Sequence, residues 1–87
     1  MELPAPARLA KALLELAALH SRPAADGLRI NLPLSQRELG GMTGLIRESI
    51  NKHLGLWREA GWLSQAGRTI TLHDVAALHA LLREHEM

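Results

Sequence analysis

Apolar residues recur every three or four positions in three stretches of the chain, and this spacing predicts three amphipathic helices. The first stretch runs from residue 7 to about residue 20 and contains no Gly, Pro or β-branched residue. The second spans about residues 46–60, and Gly61 follows it as a residue suited to closing a helix. The third follows Asp74, whose carboxylate can cap its first turn.

Two further segments carry the patterns of β-structure. Residues 28–32 alternate apolar and polar positions, which predicts a short strand with one buried face. Before this strand, the first helix is expected to end ahead of residues 21–23, and residues 24–27 predict a turn. Residues 62–64 and 68–72 flank a second turn at residues 65–67, and together they predict a β-hairpin.

The region before the second long helix carries the signals of a short helix and a turn. Ser35 and Glu38 have the spacing of a capping box, in which each side chain bonds the other residue's backbone N–H. A short helix is expected to follow, ending near Met42 because the Thr43-Gly44 pair breaks it. Two helices joined by a turn of about three residues form the helix-turn-helix pattern, and the hairpin directly after them makes it a winged version.

The glycines and apolar residues of this motif have positional roles. Gly40 lies where the two helices cross closely, and a side chain there would hold them apart. Gly44 lies where the turn requires a positive φ. The two helices are expected to share a small core of Leu39, Leu45 and Ile50. We therefore predict a mainly α fold with a small β-hairpin wing, a winged helix-turn-helix that forms one domain over residues 1–87.

The second helix of the motif has a polar face opposite its apolar stripe of Ile50, Leu54 and Trp57. Arg pairs bidentately with guanine, Glu accepts from cytosine N4, and Asn or Lys reaches base edges or phosphates. A helix with one buried and one polar face is what docking in the DNA major groove requires. We call this polar face the reading face; it consists of Arg47, Glu48, Asn51 and Lys52. The candidates for phosphate contacts beside the groove are Ser35, Gln36, Arg37 and Arg68.

Composition narrows the classes of function. The 87 residues include no cysteine, which excludes disulfide scaffolds, zinc fingers and thiol catalysis and fits a reducing, cytoplasmic location. Phe and Tyr are absent and only two Trp are present, which argues against aromatic platforms for single-stranded nucleic acid. The net charge is only +1, so affinity for DNA depends on where the charges lie. No apolar stretch is long enough to span a bilayer.

Metal binding and catalysis are not expected from the remaining chemistry. No two of the five histidines have i, i+4 spacing, and the HExxH motif is absent. No serine belongs to a recognisable catalytic motif, and no Gly-rich loop matches a phosphate-binding fingerprint. We therefore expect no cofactor, no metal site and no enzymatic activity in this chain.

Residues 7–84 resemble the C-terminal DNA-binding domain of Crp/Fnr-type bacterial transcription regulators, the cyclic-AMP receptor protein family. The first helix is similar to the helix that opens that domain, and residues 34–50, which include LSQRELG and RESI, are similar to its helix-turn-helix signature. Residues 61–72, with GWL and GRTITL, are similar to its wing. The resemblance implies sequence-specific binding of double-stranded DNA as the output domain of a regulator. It places Arg47 and Glu48 at the main base-reading positions, with Asn51 and Lys52 completing the set.

Three positions depart from the family's pattern. Lys52 stands where many relatives have Arg, and the loss of the planar fork alters or relaxes the base preference there. Ile46 stands where the family usually has Ser or Thr, which caps the recognition helix and touches a phosphate. His53 stands at a usually apolar position. We expect it at the edge of the core with a polar partner; the alternative is a recognition helix that responds to pH.

The resemblance also implies parts of a regulator that lie outside this domain. Family members carry an N-terminal effector-sensing β-barrel and a long dimerisation helix, and neither fits in the six residues before the first helix. The chain is therefore expected to be an excised output domain or a truncated regulator. The parent protein is expected to bind an inverted repeat as a homodimer, with RNA polymerase as a further candidate partner. Two other classes stay open: a winged-helix module that binds proteins instead of DNA, and a small scaffold domain.

Overall fold

A computed structural model describes residues 3–85, which form four helices and four strands. In chain order these elements are α1 (Ala5–His20), β1 (Ser21–Ala24), β2 (Gly27–Ile30), α2 (Gln36–Thr43), α3 (Arg47–Glu59), β3 (Leu63–Ala66), β4 (Thr69–Leu72) and α4 (Val75–His85). Helices α2 and α3 form the helix-turn-helix, and β3 and β4 form the wing. The predicted fold class, mainly α with a winged helix-turn-helix, is confirmed.

Helix α1 lies at the centre of the hydrophobic core because most of its surface is leucine and alanine. Leu9 and Leu13 are fully buried and pack with side chains from α2, α3, α4 and the sheet. Helix α4 packs along α1 and contributes Leu78, which is also fully buried. The last helix is therefore part of the packed core of the domain. Asp74 caps α4 as predicted, since its Oδ1 accepts a hydrogen bond of 2.9 Å from the Ala77 amide.

The four strands form one antiparallel sheet in the order β1-β2-β4-β3. The wing hairpin pairs over four residue pairs, from Leu63 with Leu72 to Ala66 with Thr69. Its strand β4 also pairs with β2, through Leu28 with Leu72 and Arg29 with Thr71. The wing is therefore hydrogen-bonded to the hairpin that follows α1.

The first helix ends at His20, ahead of residues 21–23 as predicted, but Ser21–Ala24 then forms strand β1, which the sequence analysis did not predict. Pro23 pairs with Leu28 on this strand, which lies at the edge of the sheet, where a residue without an N–H is tolerated. The turn predicted at residues 24–27 is shorter in the structure: Ala24 and Gly27 pair with each other, and residues 25–26 form the turn between them. Strand β2 accordingly spans Gly27–Ile30, and not residues 28–32.

The capping box predicted for α2 is present. The Ser35 hydroxyl accepts from the Glu38 amide, and the Glu38 carboxylate accepts from the Ser35 amide, both at 3.1 Å. Gly44 closes the helix with a φ of 73°, as the turn requires. The close approach predicted at Gly40 is also found, because a Cβ there would lie 3.2 Å from the Leu45 carbonyl oxygen. Leu39, Leu45 and Ile50 are all buried as expected.

Helix α3 ends in a Schellman motif that starts the wing. Gly61 has a φ of 80°, and its amide bonds the Arg58 carbonyl while the Trp62 amide bonds the Trp57 carbonyl. The Trp62 carbonyl in turn accepts from the amides of His73 and Asp74, at the other end of the hairpin. The end of α3 therefore fixes both the beginning and the end of the wing.

Candidate nucleic-acid interface

Helix α3 separates a buried stripe from an exposed one. Ile50, Leu54 and Trp57 are 0 to 5% exposed and anchor the helix in the core. The four residues of the reading face, Arg47, Glu48, Asn51 and Lys52, are all exposed. Their exposure follows from the helical period, because these positions point away from the residues that the core holds.

The turn between α2 and α3 is fixed by a buried threonine. The Thr43 hydroxyl donates to the Leu39 carbonyl at 2.7 Å and accepts from the Leu45 amide at 3.2 Å. The Gly44 amide adds a hydrogen bond of 2.8 Å to the Gly40 carbonyl. Thr43 therefore connects the last turn of α2 to the residue that leads into α3, and this connection helps to set the angle between the helices.

Gln36, at the start of α2, contacts two residues of the reading face. Its Oε1 accepts a hydrogen bond of 2.8 Å from Arg47 Nε, and its Nε2 donates to Asn51 Oδ1. Sequence reasoning predicted Gln36 as a phosphate contact and missed this bridge, because its partners lie 11 and 15 residues away. The structure thus brings a candidate phosphate ligand and two candidate base readers into one group.

The turn of the wing lies beside the start of α2. The Leu34 amide donates to the Arg68 carbonyl at 2.8 Å, and the Arg68 guanidinium lies 3.5 Å from Glu38 Oε1. Both charged side chains remain more than half exposed. Arg68 therefore lies beside the capping box of Ser35 and Glu38, while Arg37 lies exposed in the first turn of α2.

Glu38 is a charged residue of this surface that the sequence analysis assigned only to the capping box. Hydrogen bonds from the amide and the hydroxyl of Ser35 lower the pKa of Glu38 below its ordinary value, and the charge of Arg68 lowers it further. The carboxylate is therefore ionised at neutral pH. No local sequence signal could have paired Glu38 with Arg68, since 30 residues separate them.

The N-terminus of α3 lacks a side-chain cap, as the departure at Ile46 implied. Ile46 is the N-cap residue, makes no side-chain hydrogen bond to the helix and is 68% exposed. An apolar side chain is therefore presented at the end of α3 that carries Arg47 and Glu48. The position cannot supply the hydroxyl contact to phosphate that Ser or Thr would make.

His53 lies at the edge of the core, as expected, but within residues 3–85 its ring makes no hydrogen bond to the polar partner that was expected. Among residues 3–85 its ring contacts Trp57, with ring centroids 6.2 Å apart and planes tilted by 32°. Desolvation lowers the pKa of His53 below 6.5, and the neighbouring charge of Lys52 lowers it further. The reason is geometric: the helical period directs this position toward the indole, and the partial burial of the ring there disfavours its charged form.

Other kinds of site are not apparent in the part of the chain that the structure describes. Within residues 3–85, no group of three or more His, Cys, Asp or Glu side chains is arranged to hold a metal ion. None of the helices in that range is both long enough and apolar enough to cross a membrane.

The fold and the exposed reading face define a winged helix-turn-helix domain. The chain belongs to the family described as the Crp-like helix-turn-helix domain, whose model matches residues 7–81. The expected identity as a DNA-binding output domain of a transcription regulator is confirmed at the level of the family.

Two relatives are named as transcriptional or global regulators. The chain is 33% identical over 69 residues to the CRP-like cAMP-activated global transcriptional regulator of Mycobacterium tuberculosis, a match that covers 79% of this chain and 31% of that protein. It is 37% identical over 71 residues to the global nitrogen regulator of Synechocystis, covering 82% of this chain and 32% of that protein. The chain therefore spans about a third of the length of these curated relatives.

Solved structures of the same family share the fold. A CRP-family transcriptional regulator from Thermus thermophilus superposes with a TM-score of 0.80 at 34% identity, over 91% of this chain and 40% of that one. The CO-dependent transcription factor CooA from Carboxydothermus hydrogenoformans gives a TM-score of 0.84 at 26% identity, over 91% and 37% of the two chains. The likeness includes both the helix-turn-helix and the wing, since it covers nine-tenths of the chain.

Proposed function

We propose that this domain binds double-stranded DNA by placing α3 in the major groove. The observation that carries the proposal is the continuous group of polar side chains that joins α2, α3 and the wing. Arg68 contacts Glu38 of α2, and Gln36 of α2 contacts Arg47 of α3. One duplex lying against α3 would therefore meet all three elements at once, as major-groove docking requires.

In this arrangement the side chains have two kinds of role. Arg47 and Glu48 read base edges near the N-terminus of α3, and Asn51 and Lys52 read or contact the duplex one turn further along. The other group contacts the phosphate backbone and so positions the protein on the duplex: Ser35, Gln36, Arg37 and Arg68. The domain itself acts by binding, with no catalytic step and no cofactor of its own.

For the full regulator, we propose a homodimer that binds an inverted repeat, one half-site per subunit, in the bacterial cytoplasm. The relatives are about three times as long as this chain, which leaves room in them for sensing and dimerisation. A single domain lacks the linked second half-site and binds more weakly than the dimer, because the second contact is no longer intramolecular. Contact with RNA polymerase is a further part of this proposal.

The experiment that tests the proposal is a fluorescence-anisotropy titration of the 87-residue chain at two salt concentrations. The duplexes are an inverted repeat and a randomised sequence. We expect binding that weakens steeply with salt, because phosphate contacts release counterions, and that favours some sequences over others. If the lone domain does not bind, an N-terminal dimerising coiled coil restores avidity. Absence of binding by that fusion as well would reject the DNA proposal in favour of a protein-binding module.

The substitution Arg47→Ala tests the assignment of the reading face. We expect a loss of about 1–3 kcal/mol on the preferred duplex and weaker discrimination at one base position, because a bidentate contact is removed. The matched control is Arg83→Ala, which removes the same charge from α4, the helix that packs on α1. An Arg47→Ala protein with unchanged sequence preference would show that α3 is not the recognition helix.

A further inference from the structure

Gln36, Arg47 and Asn51 form a chain of side-chain hydrogen bonds on the exposed surface between α2 and α3. Arg47 Nε donates to Gln36 Oε1, and Gln36 Nε2 donates to Asn51 Oδ1. Two of these residues belong to the reading face, and Gln36 lies outside it, on the neighbouring helix. The geometry therefore couples the two base readers through a side chain on another element.

The guanidinium of Arg47 determines which group donates and which group accepts in both of these hydrogen bonds. A guanidinium carries only donors, so Arg47 requires the amide oxygen of Gln36 and leaves the amide nitrogen of Gln36 pointing to Asn51. That nitrogen is a donor, so Asn51 must present its own oxygen to it. The donor-only guanidinium of Arg47 thus determines the orientations of the Gln36 and Asn51 amides, whose oxygen and nitrogen atoms have nearly the same shape.

The same bonds decide which atoms remain for DNA. Arg47 has its Nε occupied, so its two terminal nitrogens are left as the fork that matches guanine O6 and N7. Asn51 has its oxygen engaged and presents its Nδ2 donors outward. The bidentate pairing of asparagine with adenine needs that oxygen to accept from adenine N6, and Gln36 competes for it.

We propose that Gln36 is a positioning residue that determines specificity, by holding Arg47 and Asn51 as donors toward the groove. The half-site is then selected for acceptors, such as guanine O6 and N7 or thymine O4, at the bases that these two residues meet. Bidentate reading of adenine by Asn51 is suppressed. The inference rests on the proposed function, since it concerns which bases the same site prefers.

The decisive variant is Gln36→Glu, which keeps the acceptor for Arg47 and removes the donor for Asn51. A carboxylate can only accept when ionised, so Asn51 has to turn its Nδ2 toward residue 36 and its oxygen toward the groove. Selection from a randomised duplex library is then expected to shift the base opposite Asn51 toward adenine or cytosine, which offer a donor in the major groove. The expected change in preference is about three- to tenfold, the value of one net hydrogen bond.

Two further variants separate this effect from charge and from simple loss of contact. Arg37→Gln changes the net charge by the same amount as Gln36→Glu, in the same turn of α2, and is expected to weaken all duplexes alike. Gln36→Ala releases both partners and is expected to broaden the preference at both bases. Both changes at residue 36 should fold, because the position is only partly buried and lies at a helix start, where Ala is tolerated and Glu is favoured.

A measurement without DNA tests the hydrogen-bonded chain itself. Nitrogen-15 relaxation of the Arg47 Nε–H in the free protein is expected to show restricted motion in the wild type and in Gln36→Glu, and faster motion in Gln36→Ala. Equal Arg47 mobility in all three proteins, or a Gln36→Glu protein that selects the wild-type sequence, would overturn the inference. Failure of the proposed function is a different result: no duplex is bound, whatever the relaxation of Arg47 shows.

Discussion

At the scale of single residues, His53 shows how the two faces of α3 affect each other. It lies between the buried stripe and the reading face, with its ring against Trp57 and with Lys52 as its neighbour in the chain. Trp57 also stacks on Trp62, with ring centroids 6.1 Å apart, so these rings form a row from α3 to the start of the wing. Desolvation and then the charge of Lys52 lower the pKa of His53, and the folded protein therefore favours the neutral ring.

This lowered pKa makes the stability of the fold depend on pH. Below the ordinary histidine value of 6.5 the unfolded chain binds a proton at His53 more readily than the folded chain does. The free energy of unfolding is thus expected to fall as the pH decreases from 6.5 through the lowered folded value. Urea denaturation of the wild type and of His53→Leu, measured between pH 8 and pH 5, checks this: the variant should lose part of the dependence.

The control for this experiment is His79→Leu, on an exposed position of α4. It should keep the pH dependence of the wild type. A His53→Leu protein with the wild-type dependence would show that His53 contributes nothing to it and would remove the basis for a pH-responsive α3.

At the scale of elements, the geometry of the helix-turn-helix depends on Thr43 as well as on the glycines. The hydroxyl of Thr43 is buried and joins a carbonyl of α2 to the amide of Leu45, which is itself buried. Water cannot replace it readily there, so the amide depends on this one oxygen. The relative placement of Gln36 and Arg47 depends in turn on the angle that this turn maintains.

Replacing Thr43 by Val keeps the shape of the side chain and removes the hydroxyl. We expect a loss of about 1–3 kcal/mol in the free energy of unfolding, because the buried Leu45 amide is left without its partner. Thermal or urea unfolding measures it, and Thr43→Ser, which keeps the hydroxyl, is the control. Equal losses for Val and Ser would assign the effect to packing and contradict this account of the turn.

Local signals in the sequence were sufficient to predict the four helices, the strand before α2 and the wing, but they did not predict the contacts between distant segments. The capping box, Gly44 and Asp74 each act on backbone within a few residues, and the structure has all three as predicted. Strand β1 was missed because its pattern is weak by itself and it is formed by pairing with β2. The bridge made by Gln36 was missed for the same reason, since a hydrogen bond between helices leaves no periodic trace in the sequence.

At the scale of the whole molecule, one short contact between strands joins the first half of the chain to the wing. Strands β2 and β4 pair through only two residue pairs, beside Gly27. A Cβ at Gly27 would lie 2.0 Å from the Leu72 carbonyl oxygen, a distance at which the two backbones would have to separate. The absence of a side chain at residue 27 therefore permits the sheet to extend across the molecule.

The substitution Gly27→Ala is expected to destabilise the fold by about 1–3 kcal/mol, the usual cost of forcing extra volume into a packed position. Gly41→Ala is the matched control, because a Cβ there meets no atom within 4 Å. Since Gly41 lies within α2, this control is expected to raise the free energy of unfolding by up to about 1 kcal/mol. Chemical denaturation compares them, and a Gly27→Ala protein as stable as the wild type would contradict the described approach of β2 and β4.

The backbone hydrogen bond between Leu34 and Arg68 fixes the distance between the tip of the wing and the start of α2. The protein therefore presents its contacts to the groove and to the flanking phosphates at one fixed spacing. DNA bound in the proposed way must match this separation or bend to meet it. Bending costs less elastic energy at flexible pyrimidine–purine steps, so operators of this domain should be enriched in such steps at bases that no side chain touches.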